Sequence, residues 1–246
     1  MTKFLTLYKR ELSSLYYTPT GYIVMSIFIG FLGWIFWIIV QALNRNYNLL
    51  EANVFGLLFG STFFYWMIIS AITASLTMRS FAEERRSGTI EVLLTAPVTD
   101  TQVVLSKFFA ALTFLTILWV PTTIYVFILA RYATVDYGIV YTGYLGTFLL
   151  NAMLTALGIM ISSFTRSQFV SFFTTFVVIM VLFSMNFMLD KVTPFWRMII
   201  QFASVVGNFA PFTSGVIDSR SIVYFVSITV FLLFCTIKSV ESYKWR

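Results

Sequence analysis

The chain has 246 residues, 59% of them hydrophobic and 11% charged, with a mean hydropathy of +0.88. A soluble domain carries about 25% charged residues, so an ordinary polar-surfaced fold is excluded, and so is disorder, whose signature is low hydrophobicity and high charge. Net charge is +6, histidine is absent and Cys235 is the one cysteine, which removes the commonest metal ligand and general base and any internal disulfide framework.

The first element, Thr2–Tyr16, reads as an amphipathic helix. Phe4, Leu5, Tyr8, Leu12, Leu15 and Tyr16 share one arc, opposite Lys3, Thr6, Lys9, Arg10, Ser13 and Ser14, with Leu7 the exception. Pro19 ends it. A basic amphipathic helix beside a membrane lies in the interface, either as a passive anchor or as a force-transmitting contact with a partner. Six apolar runs follow: Tyr22–Leu43, Val54–Met78, Val103–Ala130, Ile139–Phe164, Gln168–Leu189 and Ser221–Lys238. A helix needs about 20 mostly apolar residues to cross the hydrocarbon core. These runs are continuous, unlike the roughly 10-residue alternating segments of a β-barrel. The first begins too late and is too long for a cleaved signal peptide. The predicted fold is an all-α integral membrane protein with six spans.

Lys and Arg near the span ends set the orientation. The N-terminus, Arg79–Lys107, Arg166 and the C-terminus hold eleven of them, the remaining loops five. Both termini are thus placed in the cytoplasm. No Asp or Glu falls inside a span, which weakens a proton-relay or ion-pump reading.

The stretch Arg79–Gln102 between the second and third runs is the most informative. The charge cluster Glu83-Glu84-Arg85-Arg86 is followed by Ser87-Gly88, then by an apolar face of Ile90, Leu93 and Leu94 with Glu91 and Thr95 opposite, and Pro97 stops it. Thr99 with Gln102 forms a capping-box signature opening the third span. A short helix over Glu83–Pro97 outside the bilayer docks in a partner's groove or lies as an interfacial loop helix. Within the spans, Pro121 predicts a kink. Gly143, Gly146 and Gly158-x-x-x-Ser162 favour close helix contact. Asn151 and Asn186 are buried amides, serving as helix–helix glue or as substrate contacts. The outer loop Asp190–Arg220 contains the apolar segment Phe195–Phe209, 15 residues long. That suits a re-entrant or interfacial segment; the alternative, a seventh span, would put the basic stretch Lys238–Arg246 outside. No GxxxxGK[ST] run, catalytic triad or metal-ligand cluster is present. The basic clusters sit next to spans, where they determine topology rather than bind nucleic acid.

Three stretches carry a family resemblance: Tyr17-Thr-Pro-Thr-Gly-Tyr-Ile23; the run Arg79–Val98, followed by Lys107; and Phe209-x-x-Phe212-x-x-Gly215-Val-Ile-Asp218-x-Arg220, followed by Tyr224-Phe225. With these the chain resembles the permease subunits of ABC-2 type transporters. The nearest likeness is to gliding-motility GldF-type permeases and their copper-maturation relatives. The resemblance implies one ABC-2 transmembrane domain over residues 1–246, type V exporter-like. It also implies a second permease subunit, making a homo- or heterodimer, and a separate cytoplasmic ATPase that carries the ATP and Mg. The ATPase would dock on a coupling helix through Glu83, Glu84, Arg85, Arg86, Gly88, Thr89, Ile90, Glu91, Leu93 and Leu94. This chain would then hold no cofactor and be a non-catalytic subunit of a bacterial inner membrane. A membrane-anchored accessory subunit with a large outer domain often accompanies such permeases. The competing readings are a channel-like or scaffold membrane protein without ATP coupling, or a secondary transporter, which would show Gly/Pro-broken spans in matching halves. The apolar spans favour lipid-linked or hydrophobic cargo, or mechanical signalling without cargo.

Overall fold

The computed structural model describes residues 2–45, 59, 63–88, 98–131, 136–188 and 193–243, and every element among them is a helix. In chain order these are α1 (Thr2–Tyr17), α2 (Pro19–Arg45), α3 (Phe63–Thr77), α4 (Ala82–Ser87), α5 (Asp100–Trp119), α6 (Thr123–Leu129), α7 (Tyr137–Phe164), α8 (Gln168–Ser184), α9 (Pro194–Ala203), α10 (Val205–Thr213) and α11 (Ser219–Ser242). Among the described residues, five helical stretches are long and apolar enough to cross a membrane: Pro19–Gln41, Asp100–Leu129, Tyr137–Phe164, Gln168–Phe187 and Ser219–Ser242. The run Val54–Met78 is represented by the 15 residues of α3; most of its first part lies outside the described residues.

The helix α7 is the axis of the bundle. It packs against α3, α5, α8, α10 and α11, and its small residues allow this. A methyl group added at Gly146 would lie 2.6 Å from Phe212 Cβ, and one at Gly158 would lie 2.1 Å from Thr77 Oγ1 and 2.8 Å from Thr77 Cβ. By contrast, α2 and α8 turn apolar side chains outward, among them Ile23, Ile27, Trp37, Phe169 and Phe173. A water-facing surface would not carry so large an apolar patch, whereas hydrocarbon accepts it. Gly158→Val should therefore cost about 1–3 kcal/mol by overpacking, read as a lowered unfolding temperature of the purified chain; an unchanged temperature would show that α3 and α7 are not held this tightly.

Several local expectations meet their geometry. The capping box is formed: Gln102 N–H donates to Thr99 Oγ1 and Thr99 N–H to Gln102 Oε1, both at 3.3 Å. Pro121 breaks the third run, which passes through a 3-10 turn at Val120–Thr122 between α5 and α6. A proline lacks the N–H that an uninterrupted helix would need there.

One expectation is corrected. The buried face of α1 is rotated: Leu5 is 51% exposed, while Leu7, Leu12, Leu15 and Tyr16 pack on the core. The i, i+4 row Leu7–Glu11–Leu15 faces the bundle because α1 lies on α5, with Tyr8 hydroxyl donating to Thr113 Oγ1 at 3.0 Å and Glu11 reaching Lys107. Of the short helix expected over Glu83–Pro97, the described residues hold the part within α4, Ala82–Ser87. The helix closes at Ser87 because Gly88 adopts φ +72°, a left-handed value that glycine takes without steric cost. Residues 89–97, with Thr89, Ile90, Glu91, Leu93 and Leu94, lie outside the described residues.

The segment before α11 is broken in two at Ser204. At 1.5 Å per residue, α9 and α10 are each about 15 Å long or less, half the hydrocarbon thickness. Phe195, Met198 and Phe202 form an exposed apolar face on α9.

Candidate functional site

One end of the bundle gathers polar and charged groups of α1, α5, α7 and α11 around the charged helix α4. The chain leaves α3 through a turn that buries Phe81 completely. No side chain of α4's own segment caps its N-terminus, and the exposed donors at a helix start need partners. Ser162, from the end of α7, supplies them: its Oγ accepts the N–H of Phe81 at 3.1 Å and of Ala82 at 3.2 Å. Its hydroxyl donates to the Met78 carbonyl at 3.2 Å. Gly158, one turn earlier on the same face, gives α3 room to come this close.

The charge cluster then divides. Glu83 and Arg86 are exposed. Glu84 turns inward and accepts from Lys107 Nζ at 2.7 Å. The same ammonium is 3.4 Å from Glu11 Oε1, and Glu11 accepts from Arg10 at 2.8 Å. Lys107 is 5% exposed and lies 5.2 Å from the centroid of the Phe81 ring. Arg10–Glu11–Lys107–Glu84 is thus a chain of alternating charges tying α1, α5 and α4 together. Arg85 points the other way. Its Nη1 donates to the Ser163 carbonyl at 2.9 Å, and its guanidinium lies 4.4 Å over the ring of Tyr243. Tyr243 hydroxyl donates to that same carbonyl, and Ser163 and Ser239 share a hydroxyl hydrogen bond of 3.1 Å. These contacts bind α4 to the ends of α7 and α11. Arg79 Nη1 donates to Thr20 Oγ1 at 3.3 Å, at the start of α2.

Electrostatics follows the geometry. Burial alone would raise the Glu11 carboxyl, but the Lys107 charge and the Arg10 hydrogen bond outweigh it and hold Glu11 below the usual carboxylate range. Glu84 is pushed above that range because burial exceeds the attraction of Lys107. A cleft of about 390 Å³ opens beside the cluster between α1, α2, α3 and α5.

The helix α4 is thus tied to α5 through Glu84, to α1 through the shared Lys107, and to the ends of α7 and α11 through Arg85.

The other candidate residues sit elsewhere. Pro121 is the break between α5 and α6. Asn151 is buried at mid-length of α7. Asn186 is half-buried and accepts from Ser204 hydroxyl at 3.5 Å, a long bond across the break between α9 and α10. At the opposite end, Phe209 meets Trp66 edge to face with centroids 5.7 Å apart. Phe212 is fully buried, and Thr142 hydroxyl donates to its carbonyl at 2.8 Å. Gly215 turns the chain at φ +84°. Asp218 Oδ1 accepts the N–H of Arg220 at 2.9 Å and starts α11; Arg220 itself is exposed. These five residues position α10 and α11 and make no contact with the α4 junction.

Sequence reading missed Glu11, Ser162 and Tyr243 as parts of one assembly. A signal existed for Lys107: a lysine four residues inside a predicted span must find a counter-charge or reach the interface.

Residues 5–214 match the model of the ABC-2 family transporter proteins. The match covers most of the chain, which belongs to this family and is the multi-pass membrane permease of an ABC transporter. No curated protein matches the chain.

Proposed function

We propose that this permease converts ATP hydrolysis on a separate cytoplasmic ATPase into export, or into a mechanical signal across the membrane. The observation that carries the reading is the α4 junction: a short charged helix clamped to four others, leading directly into the segment Thr89–Pro97. That segment's apolar face of Ile90, Leu93 and Leu94 enters a groove on the ATPase, while the exposed Glu83 and Arg86, with Glu91, set orientation at the rim. Gly88 orients the segment relative to α4. Glu84 and Arg85 act inside the junction as positioning residues. ATP and Mg belong to the partner, and a second permease subunit completes the transporter. A membrane-anchored subunit with a large outer domain is a further partner. The likeness to gliding-motility permeases rests on the three sequence stretches and would place the machine in such a system.

The chain crosses the inner membrane six times with both termini in the cytoplasm. Supporting this are the eleven-to-five distribution of Lys and Arg and the meeting of α1, α4 and the ends of α7 and α11 at one end of the bundle. The α9–α10 segment dips into or lies on the outer leaflet, its Phe195, Met198 and Phe202 toward lipid. A topology reporter fused after Ala210 should read as external and a thiol at Ser87 as cytoplasmic; a cytoplasmic reading after Ala210 would mean a seventh span.

The experiment that tests the ATPase contact places a photocrosslinking residue at Arg86 in native membranes. The expected product joins this chain to a protein with a phosphate-binding GxxxxGK[ST] loop. Crosslinking to lipid alone would contradict the docking role.

A further inference from the structure

A groove of about 180 Å³ lies between α5 and α7, beside the break at Pro121, lined by Thr116, Trp119, Val120, Tyr144, Phe148 and Asn151 among others. Its hydroxyls are already used within the chain. Thr116 donates to the Leu112 carbonyl at 2.7 Å, Thr123 to Val120 at 2.7 Å and Thr147 to Gly143 at 2.8 Å. Tyr144 and Thr122 share a 2.7 Å hydrogen bond. Asn151 is different. It is 2% exposed and lines the groove, and its side-chain amide makes no hydrogen bond to any described residue. It is the fifteenth of the 28 residues of α7, which places it about 20 Å from either end of that helix, near the bilayer midplane in the orientation proposed above. Neither water nor lipid ester groups are available at that depth, and an unsatisfied amide there is costly.

The mouth of the groove opens on the outer surface of the bundle, between Val120, 58% exposed, and Phe148, 43% exposed. A neighbouring helix would be held off by these bulky rims, since close helix association in lipid wants small residues. A slender molecule entering from the membrane meets no such obstacle. It would find an apolar channel ending at an amide that offers both a donor and an acceptor.

We propose that this groove is an intramembrane binding site for a membrane-dissolved amphiphile carrying a hydroxyl or a primary amide. The polar group exchanges hydrogen bonds with Asn151, and the apolar chain leaves between Val120 and Phe148 along the lipid-facing side. Trp119 forms one wall. The site lies apart from the α4 junction, and ligand binding there does not require an ATPase.

The test uses the whole chain in phosphatidylcholine nanodiscs and a photoactivatable long-chain primary alcohol as probe. Labelling should be saturable and map to peptides spanning residues 116–123 and 144–151. The unlabelled alcohol and the matching fatty amide should compete, while the methyl ether of the alcohol, which cannot donate, competes roughly tenfold less well, the scale of one hydrogen bond in a membrane. Asn151→Leu should weaken labelling by a similar factor. Val120→Trp, a change at the exposed mouth that leaves the core alone, should block it. Non-saturable labelling, equal competition by alcohol and ether, or full labelling of both variants would overturn the proposal. So would spontaneous disulfide formation between Val120→Cys chains, which would make the groove part of a subunit interface. Each readout is binding to this chain alone, so the result is independent of whether the ATPase reading holds.

Discussion

Lys107→Met is expected to cost about 2–3 kcal/mol of stability at pH 7, below the roughly 3–5 kcal/mol seen when one partner of a fully buried pair is removed, because the Glu11 and Glu84 side chains keep 20% and 18% exposure. Methionine fills the volume but leaves both carboxylates without their shared cation. Glu84 already sits above the ordinary carboxylate range, and the substitution raises it further. A carboxyl whose folded pKa is raised favours the folded state most below its ordinary value and loses that contribution as pH rises from there through the raised folded value. Native Glu11, held low, behaves oppositely: its contribution is present above the ordinary value and is lost as pH falls. The deficit of the variant should therefore shrink as pH is lowered from 7 towards 5. Thermal unfolding of both proteins at the two pH values checks this; a pH-independent deficit would mean that Lys107 serves only as packing. If α4 carries the coupling proposed above, coupling should suffer as well, since the tie through Lys107 to α1 and α5 is lost.

Much of the architecture was legible because lipid imposes simple demands. Long apolar runs have to be helices, and the runs at Tyr22, Val103, Ile139, Gln168 and Ser221 correspond to helices of crossing length. Local chemistry was equally readable where it acts within a few residues: the Thr99–Gln102 capping box and the break at Pro121. Contacts between distant segments were harder to read. The rotation of α1 that turns Leu5 out and Leu7 in depends on Glu11 meeting Lys107, some 100 positions away in the chain. Nothing in the local pattern of α1 announces that pairing, because an amphipathic arc defines a face only to within about one residue's rotation. Ser162 was legible as a small residue permitting close contact. Its second role, satisfying the open N–H groups at the start of α4, exists only once α3 and α7 are packed. The charge cluster at residues 83–86 likewise looked uniform in sequence. Its alternation into outward Glu83 and Arg86 and inward Glu84 and Arg85 comes from how α4 is seated.

In the proposed function, coupling runs through the segment after Gly88. Burying one leucine in a partner's groove contributes about 1.5–3 kcal/mol, so Leu94→Ala should weaken ATPase docking without abolishing it. Leu94→Asp removes that burial and also brings an unpaired charge into the groove, a further penalty of several kcal/mol. With both losses the subunits should separate. An unchanged unfolding temperature of the membrane-inserted variant would show that the junction and the membrane helices stay intact. Gly88→Val should also fail, but for a different reason: the left-handed φ at that position strains a branched side chain, so the docking segment leaves α4 at the wrong angle. The most direct measurement is ATPase co-purification and ATP turnover with the native chain, Leu94→Ala and Leu94→Asp, each verified as membrane-inserted. The expected series is full, partial and near-zero association, with turnover following it; full ATPase binding and turnover with Leu94→Asp would contradict the coupling role of this segment.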